Sequence, residues 1–153
     1  MIALDWPDGS RWELAHLCLD LNGTLALDGA LLPGVGQALR QLGAKLAVHL
    51  LTAGTHGGLD RVERELGVRA VPIGQGPEKR AYVERLGPMG VVAVGNGRND
   101  AAMLGSARLG IAVLGPEGLA SAAVQAADVV VPDILTGLAL LDHPLRLIAT
   151  LRP

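Results

Sequence analysis

Asp20 follows the first long apolar run of this 153-residue chain and opens the segment DLNGTL at residues 20–25. A carboxylate at the tip of a buried strand can attack phosphorus or bind a metal ion. Gly23 allows the backbone to turn there and to approach a ligand closely. Asn-Gly, however, is also a strong hairpin signal. The segment alone therefore predicts either a phosphoryl or metal site or a simple turn at the end of a strand.

A second polar segment, GNGRND at residues 95–100, follows the apolar run 91–94. Asp100 adds a carboxylate, and Asn96 and Asn99 add amides, on a glycine-lined loop that enters a helix. Such a loop can be an Asx turn that only caps the helix. Six consecutive polar or glycine residues exceed what a cap needs, so we expect this loop to contribute to a site.

Thr52 and Lys79 complete the set of candidate residues. Thr52, with Ala53 behind it, offers a hydroxyl and backbone amides near a helix start, where anions bind. Lys79 is one of only two lysines in the chain, and lysine supplies a compact charge that suits a phosphoryl oxygen. Threonine is also a routine helix cap, and most lysines at helix starts are solvated, so neither residue indicates a site by itself.

Short apolar runs that alternate with helical segments must position these residues. The runs occupy residues 16–19, 46–51, 68–73, 91–94, 109–113 and 129–131. Helix-face spacing recurs in two sets, Val35, Ala38, Leu39 and Leu42, and then Leu119, Ala122, Ala123 and Ala126. Short, nearly unbroken apolar runs are typical of strands buried on both faces. We predict an α/β domain of three layers around a mostly parallel sheet, with Pro72 in an edge or late-strand position.

The rest of the chain is expected to form one unit. Runs at 2–5 and 11–15 flank a turn sequence at 7–10, which predicts an N-terminal β-hairpin, and we assign residues 1–15 to this peripheral element of a single domain over 1–153. In parallel sheets, ligands bind beyond the carboxyl ends of the strands. Polar residues that follow different strands should therefore converge at one edge.

Composition excludes several classes of function. A net charge of -2, a pI near 6.0 and only three Trp and Tyr residues are a poor match for a nucleic-acid surface. Apolar stretches are broken well before the roughly 18 residues of a membrane span, and Asp5 and Asp8 stand where a signal peptide has basic residues. With Cys18 as the single cysteine, we expect a cytoplasmic protein without disulfides.

The order of the motifs resembles the haloacid dehalogenase-like (HAD) hydrolase superfamily, which includes the phosphorylation domain of P-type ATPases. The strings DLNGTLA and GNGRND are similar to those of its small soluble P-type ATPase-like proteins, and the likeness spans residues 17–132. It implies a Rossmann-like HAD fold, Mg²⁺ as cofactor and an aspartyl phosphate on Asp20. Its partner would be a phosphorylated small molecule or another phosphoryl donor.

The resemblance also assigns roles to residues. By that likeness the catalytic residues are Asp20, Asn22, Thr52 and Lys79, the phosphate-binding residues are Gly23, Thr52, Ala53 and Lys79, the metal-binding residues are Asp20, Asn22, Asn96 and Asp100, and Thr24 and Asn99 support them. The ligand from Asn22 would be its backbone carbonyl, and Asp100 would hold Mg²⁺ through water.

Two amides depart from the pattern of active phosphatases in this superfamily. Asn22 replaces the aspartate that protonates the leaving group, and an amide cannot relay a proton. Asn96 replaces an aspartate that binds the metal directly, which should weaken affinity for a hard cation. The sequence therefore leaves two hypotheses: a slow Mg²⁺-dependent phosphatase or ATPase-like enzyme, and an impaired module that binds phosphate or metal for regulation.

The intervals between the motifs leave no room for a cap domain. Only residues 25–32 could form a small flap, so the site should be open, and capless relatives imply a homo-oligomer or a large substrate. Among the histidines, His49 lies in an apolar strand and is expected to be a hydrogen-bonded structural residue. His56 follows Thr52 closely enough to be a candidate substrate contact.

Overall fold

The computed structural model describes residues 1–53 and 58–153 and is built around a six-stranded parallel sheet. The strands are β1 (Ile2–Asp5), β2 (Arg11–Leu14), β3 (His16–Asp20), β4 (Ala26–Leu27), β5 (Ala30–Leu31), β6 (Ala47–Thr52), β7 (Ala70–Pro72), β8 (Val91–Gly95), β9 (Leu109–Val113) and β10 (Val129–Val131). The helices are α1 (Val35–Gly43), α2 (Leu59–Leu66), α3 (Gly76–Leu86), α4 (Ala101–Ser106), α5 (Ser121–Ala126), α6 (Ile134–Asp142) and α7 (Pro144–Leu151). Short 3₁₀ turns occupy Pro88–Gly90 and Arg98–Asp100.

The central sheet has the strand order β10-β9-β8-β3-β6-β7, and each neighbouring pair is parallel. Strand β3 lies in the middle, where Leu17 and Leu19 face one side and Cys18 faces the other, all fully buried. Pro72 ends the edge strand β7, where its missing N–H interrupts no further ladder. The six apolar runs therefore correspond to the six strands, and the predicted α/β fold is confirmed.

Helices cover both faces of this sheet and complete the three layers. Helices α1, α2, α6 and α7 pack their buried leucines, valines and isoleucine against one face. Helices α3, α4 and α5 cover the other face with buried side chains that include Val83, Met103 and Ala123. Helix α5 begins at Ser121, so Leu119 of the predicted helix face precedes the helix and packs from the loop.

Two small hairpins lie outside the central sheet. The hairpin β1–β2 pairs in antiparallel register, as predicted, yet Ile2, Leu4 and Leu14 are buried in the main core. The hairpin β4–β5 forms the small flap expected in residues 25–32. Between Asp20 and Thr52 the chain contains only this flap and α1, beside the sheet strand itself.

Long apolar helices are absent from residues 1–53 and 58–153. In that part of the chain no single helix has the length and apolar character needed to cross a membrane, and α6 and α7 reach the required length only together, with a bend of 104° between them.

Candidate active site

Asp20 is the last residue of β3, at the carboxyl edge of the sheet, and is 8% exposed. Its Oδ1 accepts a hydrogen bond from Lys79 Nζ at 2.7 Å, and its Oδ2 accepts one from Thr24 Oγ1 at 3.1 Å. The backbone turns immediately after this residue, so the carboxylate sits at the strand tip. Asp20 is therefore a fixed carboxylate whose two oxygens have different partners.

Lys79 joins the two carboxylates of the predicted set. It is the fourth residue of α3, its side chain is 1% exposed, and its Nζ lies 2.7 Å from an oxygen of both Asp20 and Asp100. The early helical position, behind Pro77 at the helix start, directs the side chain back toward the sheet edge. Lys79 thus carries a buried positive charge between two acids, which is more than its sequence position indicates.

Asp100 accepts three hydrogen bonds from the described residues. Besides Lys79, it accepts the backbone N–H groups of Asn96 at 3.0 Å and Gly97 at 2.8 Å on Oδ2. It is completely buried. A carboxylate has about four lone-pair positions, so these three bonds leave Asp100 little capacity for a further direct ligand, in keeping with the water-mediated role implied by the resemblance.

The Thr24 hydroxyl lies between two acceptor oxygens, one on Asp20 and one on Asn96. It lies 3.1 Å from Asp20 Oδ2 and 3.0 Å from Asn96 Oδ1, and both oxygens are acceptors. A hydroxyl has one proton, so it can satisfy only one of them at a time. Among the described residues these two oxygens share one hydroxyl proton, and such a pair suits a cation of the Mg²⁺ type, which binds oxygen ligands. The residues present therefore fit a divalent cation on this side of Asp20.

Burial and charge shift the pKa values of this cluster. Burial, joined by the negative charge of Asp100, raises the pKa of Asp20 to about 6, although Lys79 and Thr24 act in the opposite direction. Burial lowers the pKa of Lys79, but the carboxylates of Asp20 and Asp100 outweigh it and raise that pKa above its ordinary value. Lys79 is therefore charged at neutral pH, and the ionised fraction of Asp20 increases as the pH rises through about 6.

Asn96 is a bridge between three segments of the chain. Its side-chain oxygen faces Thr24, its Nδ2 donates to the carbonyl of Gly118 at 3.1 Å, and its backbone carbonyl accepts from Ala120 N at 2.9 Å. A carboxylate could not donate to Gly118. An amide is therefore needed at this position to hold the loop after β9 against the site.

Asn22 and Gly23 form the floor of the turn after Asp20. Asn22 is half-buried and bridges to Ala26, whose carbonyl accepts the Gly23 N–H at 2.8 Å. Gly23 has a φ of +79°, and a Cβ there would lie 2.6 Å from Glu117 Oε2 and 2.8 Å from Asn96 Nδ2. The Gly23 amide is thus engaged within the turn, and its contribution to the site is a close backbone approach.

Thr52 and Ala53 mark the end of β6, the strand beside β3. Thr52 is 2% exposed and its carbonyl accepts from Ile73 N at 2.9 Å, while Ala53 is exposed at the same edge. A Cβ on Gly74 would lie 2.6 Å from the Ala53 Cβ, so the two loops are in close contact. The candidate contact His56 lies outside the described residues.

Asn99 lies on the outer side of this loop. Its Nδ2 donates to the Gly74 carbonyl at 3.0 Å, and the residue is exposed. It therefore ties the loop after β8 to the loop before α3, the helix that carries Lys79. This contact is consistent with a supporting residue and lies apart from the buried acids.

Several residues of this arrangement escape sequence reasoning. Glu117 and Gly118 belong to a turn after β9 that carries no recognisable signal for a site. Glu117 lies against Gly23, and Gly118 lies against Asn96.

His49 is hydrogen-bonded to His16 at 3.1 Å and to Tyr82 at 3.0 Å, as a structural residue should be. No group of three or more His, Cys, Asp or Glu side chains with metal-binding geometry occurs in residues 1–53 and 58–153.

Comparison with curated proteins finds a partial relative. No family model matches the chain. An uncharacterised protein of Methanocaldococcus jannaschii is 47% identical over 62 residues, which are 40% of this chain and 67% of that protein. This relative shows a shared sequence segment without indicating an activity.

Solved structures extend the likeness to most of the chain. A 3-deoxy-D-manno-octulosonate 8-phosphate phosphatase from Moraxella catarrhalis, in complex with magnesium, phosphate and KDO, is 20% identical with a TM-score of 0.63, over 91% of this chain and 94% of its own. A phosphoserine phosphatase, solved as a phospho-aspartyl intermediate analogue, is 14% identical with a TM-score of 0.64, over 86% of this chain and 99% of its own.

A zinc-transporting P-type ATPase in its E2.Pi state is 25% identical with a TM-score of 0.61, and the match covers 79% of this chain but 20% of the ATPase. The chain is thus similar to a small part of that transporter. The narrower likeness to soluble P-type ATPase-like proteins stays a prediction. Together with the parallel sheet, the structural likenesses show that the chain has the fold of HAD-like hydrolases.

Proposed function

We propose that this protein is a phosphohydrolase that transfers a phosphoryl group to Asp20 and then to water. The observation that carries the proposal is the fixed carboxylate of Asp20, bonded to Lys79 at 2.7 Å and to Thr24 at 3.1 Å at the carboxyl edge of the sheet. Phosphoryl transfer depends mainly on positioning and charge neutralisation. A buried lysine between two acids supplies both.

Lys79, Thr52, Ala53 and Gly23 would form the phosphate side of the site. The charge of Lys79 would neutralise phosphoryl oxygens while it keeps Asp20 oriented, as the hydrogen bond to Oδ1 already does. The Thr52 hydroxyl and the Ala53 backbone would bind the transferring group at the end of the adjacent strand. The positions of these residues at one sheet edge support the assignments, which the family resemblance implies.

Asp20, Asn96, Asp100 and the backbone carbonyl of Asn22 would hold Mg²⁺. The proton-poor oxygens of Asp20 and Asn96 beside Thr24 support this assignment, and a structurally similar phosphatase was solved with magnesium. When bound, Mg²⁺ supplies positive charge that offsets the charge developing on the phosphoryl group. It would also favour the ionised form of Asp20, whose pKa is otherwise about 6.

The reaction proceeds in two balanced steps. An oxygen of Asp20 attacks phosphorus, the bond from phosphorus to the leaving oxygen breaks, and that oxygen takes a proton from water. Water then hydrolyses the aspartyl phosphate, which returns the carboxylate and releases inorganic phosphate. Because Asn22 can neither donate nor accept the transferred proton, both steps should be slow.

The substrate, the cellular location and the assembly state of the protein belong to the same proposal. The likeness to phosphatases supports a phosphorylated small molecule as the partner, and a phosphoryl donor such as ATP would serve the same chemistry. A cytoplasmic location and assembly into a homo-oligomer are parts of the same proposal. A regulatory module that binds phosphate or metal without turnover is the alternative, and the two amides Asn22 and Asn96 favour it.

Phosphate release from an aryl phosphate tests the proposal and separates it from the alternative. The wild-type protein should release phosphate in proportion to its concentration and only with Mg²⁺. Asn22→Asp should raise the rate by about 10²- to 10⁴-fold, the usual contribution of a general acid or base. Gln41→Glu, a matched amide replacement at an exposed position of α1, should leave the rate within about threefold.

The outcomes are distinct. Phosphate release that continues unchanged after Mg²⁺ is chelated would contradict the assignment of the cation. No release by wild type and no gain in Asn22→Asp, together with retained binding of inorganic phosphate measured by calorimetry, would favour the regulatory module. A rate that rises in Gln41→Glu as much as in Asn22→Asp would remove the special role of position 22.

A further inference from the structure

The loop between β9 and α5 is held against the candidate site at several points. Gly118 N donates to the Gly115 carbonyl at 3.0 Å and closes a tight turn, in which Gly118 has a φ of +87°. The Gly118 carbonyl accepts from Asn96 Nδ2 at 3.1 Å. The turn is therefore fixed to the GNGRND loop.

The same turn also packs on the loop that follows Asp20. Any side chain on Gly115 would overlap the carbonyl oxygen of Gly23, so the two backbones are in direct contact there. Glycine at both positions permits this approach. The turn between β9 and α5 is thus anchored to both loops that supply the candidate cation ligands.

Glu117 is the acidic residue that this turn places at the site. A Cβ on Gly23 would lie 2.6 Å from Glu117 Oε2, 3.1 Å from Glu117 Cβ and 2.8 Å from Asn96 Nδ2. The side chain therefore extends along Gly23, with its carboxylate close to the side chain of Asn96. Glu117 remains exposed to solvent, so its charge is present at the rim of the site.

The Glu117 carboxylate adds negative charge to a site whose buried residues have a small net charge. The buried set contains two acids, Asp20 and Asp100, and one cation, Lys79, for a net charge of -1 when both acids are ionised. Asn22 and Asn96 contribute no charge. A divalent cation would be held weakly by one net negative charge, whereas Glu117 raises the total to -2.

We propose that Glu117 is an additional acidic residue of the cation site and compensates for the charge missing at Asn22 and Asn96. The inference rests on the proposed function, since it assumes that Mg²⁺ binds beside Asp20. Mg²⁺ in proteins keeps several of its waters, so an exposed carboxylate can act on the ion through them. Glu117 would attract the ion by its charge at the rim of the site, and the oxygens of Asp20 and Asn96 on the two anchored loops would bind it.

Calorimetric titration of Mg²⁺ into wild type and Glu117→Gln tests the inference without reference to turnover. A charge about 6 Å from a divalent cation in a water-like medium changes the affinity by about tenfold, so Glu117→Gln should bind Mg²⁺ about tenfold more weakly. Glu65→Gln is the matched control, because Glu65 lies near the end of α2 and is exposed. It should bind Mg²⁺ as wild type does.

Salt separates a charge effect from a structural one. Exposed charges are screened by ions, so the ratio of wild-type to Glu117→Gln affinities should shrink toward one as KCl is raised from 20 mM to 500 mM. Equal affinities at low salt, or a ratio that salt leaves unchanged, would overturn the role of Glu117. Failure of wild type itself to bind Mg²⁺ would instead overturn the proposed function, so the two failures are distinguishable.

Discussion

Replacing Asp20 by asparagine should lower phosphate release by a factor on the order of 10⁴ or more, because an amide cannot replace a nucleophilic carboxylate. The variant should still fold, since Lys79 and Asp100 remain as a one-to-one ion pair 2.7 Å apart. Asp5→Asn, in the exposed end of the N-terminal hairpin, is the matched control and should retain full activity. Activity in Asp20→Asn above a tenth of wild type would contradict the nucleophilic role.

The same substitution has a pH-dependent effect on stability. Burial and the charge of Asp100 raise the pKa of Asp20 from 3.8 to about 6. Between these values the folded protein binds more protons than the unfolded chain, so the stability contributed by this group falls as pH rises. The free energy of unfolding, measured with urea in EDTA, should therefore increase for Asp20→Asn relative to wild type. The relative increase between pH 4 and pH 7 should be on the order of 3 kcal/mol. A difference that does not vary with pH would show that Asp20 titrates normally.

Replacing Lys79 by methionine should reduce the free energy of unfolding by about 3–5 kcal/mol at pH 7, because removal of one partner leaves buried charge uncompensated. Asp20 and Asp100 would then face each other with 8% and 0% exposure and no cation between them. Methionine retains much of the length and apolar volume of the lysine stem, so the loss reports on charge. Chemical unfolding without Mg²⁺ measures it, and phosphate release should fall to background in the same variant.

The second lysine of the chain provides the control for this prediction. Lys45 pairs with Asp142 at 2.9 Å, but its side chain is 49% exposed, and exposed ion pairs contribute about 0–1 kcal/mol. Lys45→Met should therefore change stability by no more than that. The loss in Lys79→Met should also diminish at pH 5, because the pKa of Asp20 is raised to about 6 and this acid can take up a proton there. Equal losses in the two variants would contradict a buried charge cluster at the site.

Much of the fold follows from residue patterns whose physical cause is simple. Leu17, Cys18 and Leu19 of β3 are all buried, because helices cover both faces of a parallel sheet. Such strands have few polar residues, so their runs stand out in the sequence. Helix α6, with the sequence ILTGLALLD, is apolar on most sides, and periodicity cannot distinguish such a segment from a strand. Which helices share a face is decided by packing across the sheet.

The site is less completely encoded in local pattern. The predicted convergence of Asp20, Thr52 and Lys79 follows from parallel strands that end at one edge. Sequence position does not give the direction of a side chain, so the simultaneous contact of Lys79 with two acids was not predicted. Glu117 was missed because a lone glutamate in a turn looks like any solvated acid. Its place depends on a backbone contact between two glycines, 115 and 23.

A structure of the protein soaked with Mg²⁺ and beryllofluoride would show whether Asp20 is the nucleophile. Beryllofluoride mimics a phosphoryl group on an aspartate, so we expect density attached to an oxygen of Asp20, with Lys79 and Thr52 in contact with the fluorines. Mg²⁺ should lie on the side of Asp20 that faces Asn96. Density on another carboxylate, or an unmodified Asp20 at saturating beryllofluoride, would contradict the assignment of Asp20 as the nucleophile.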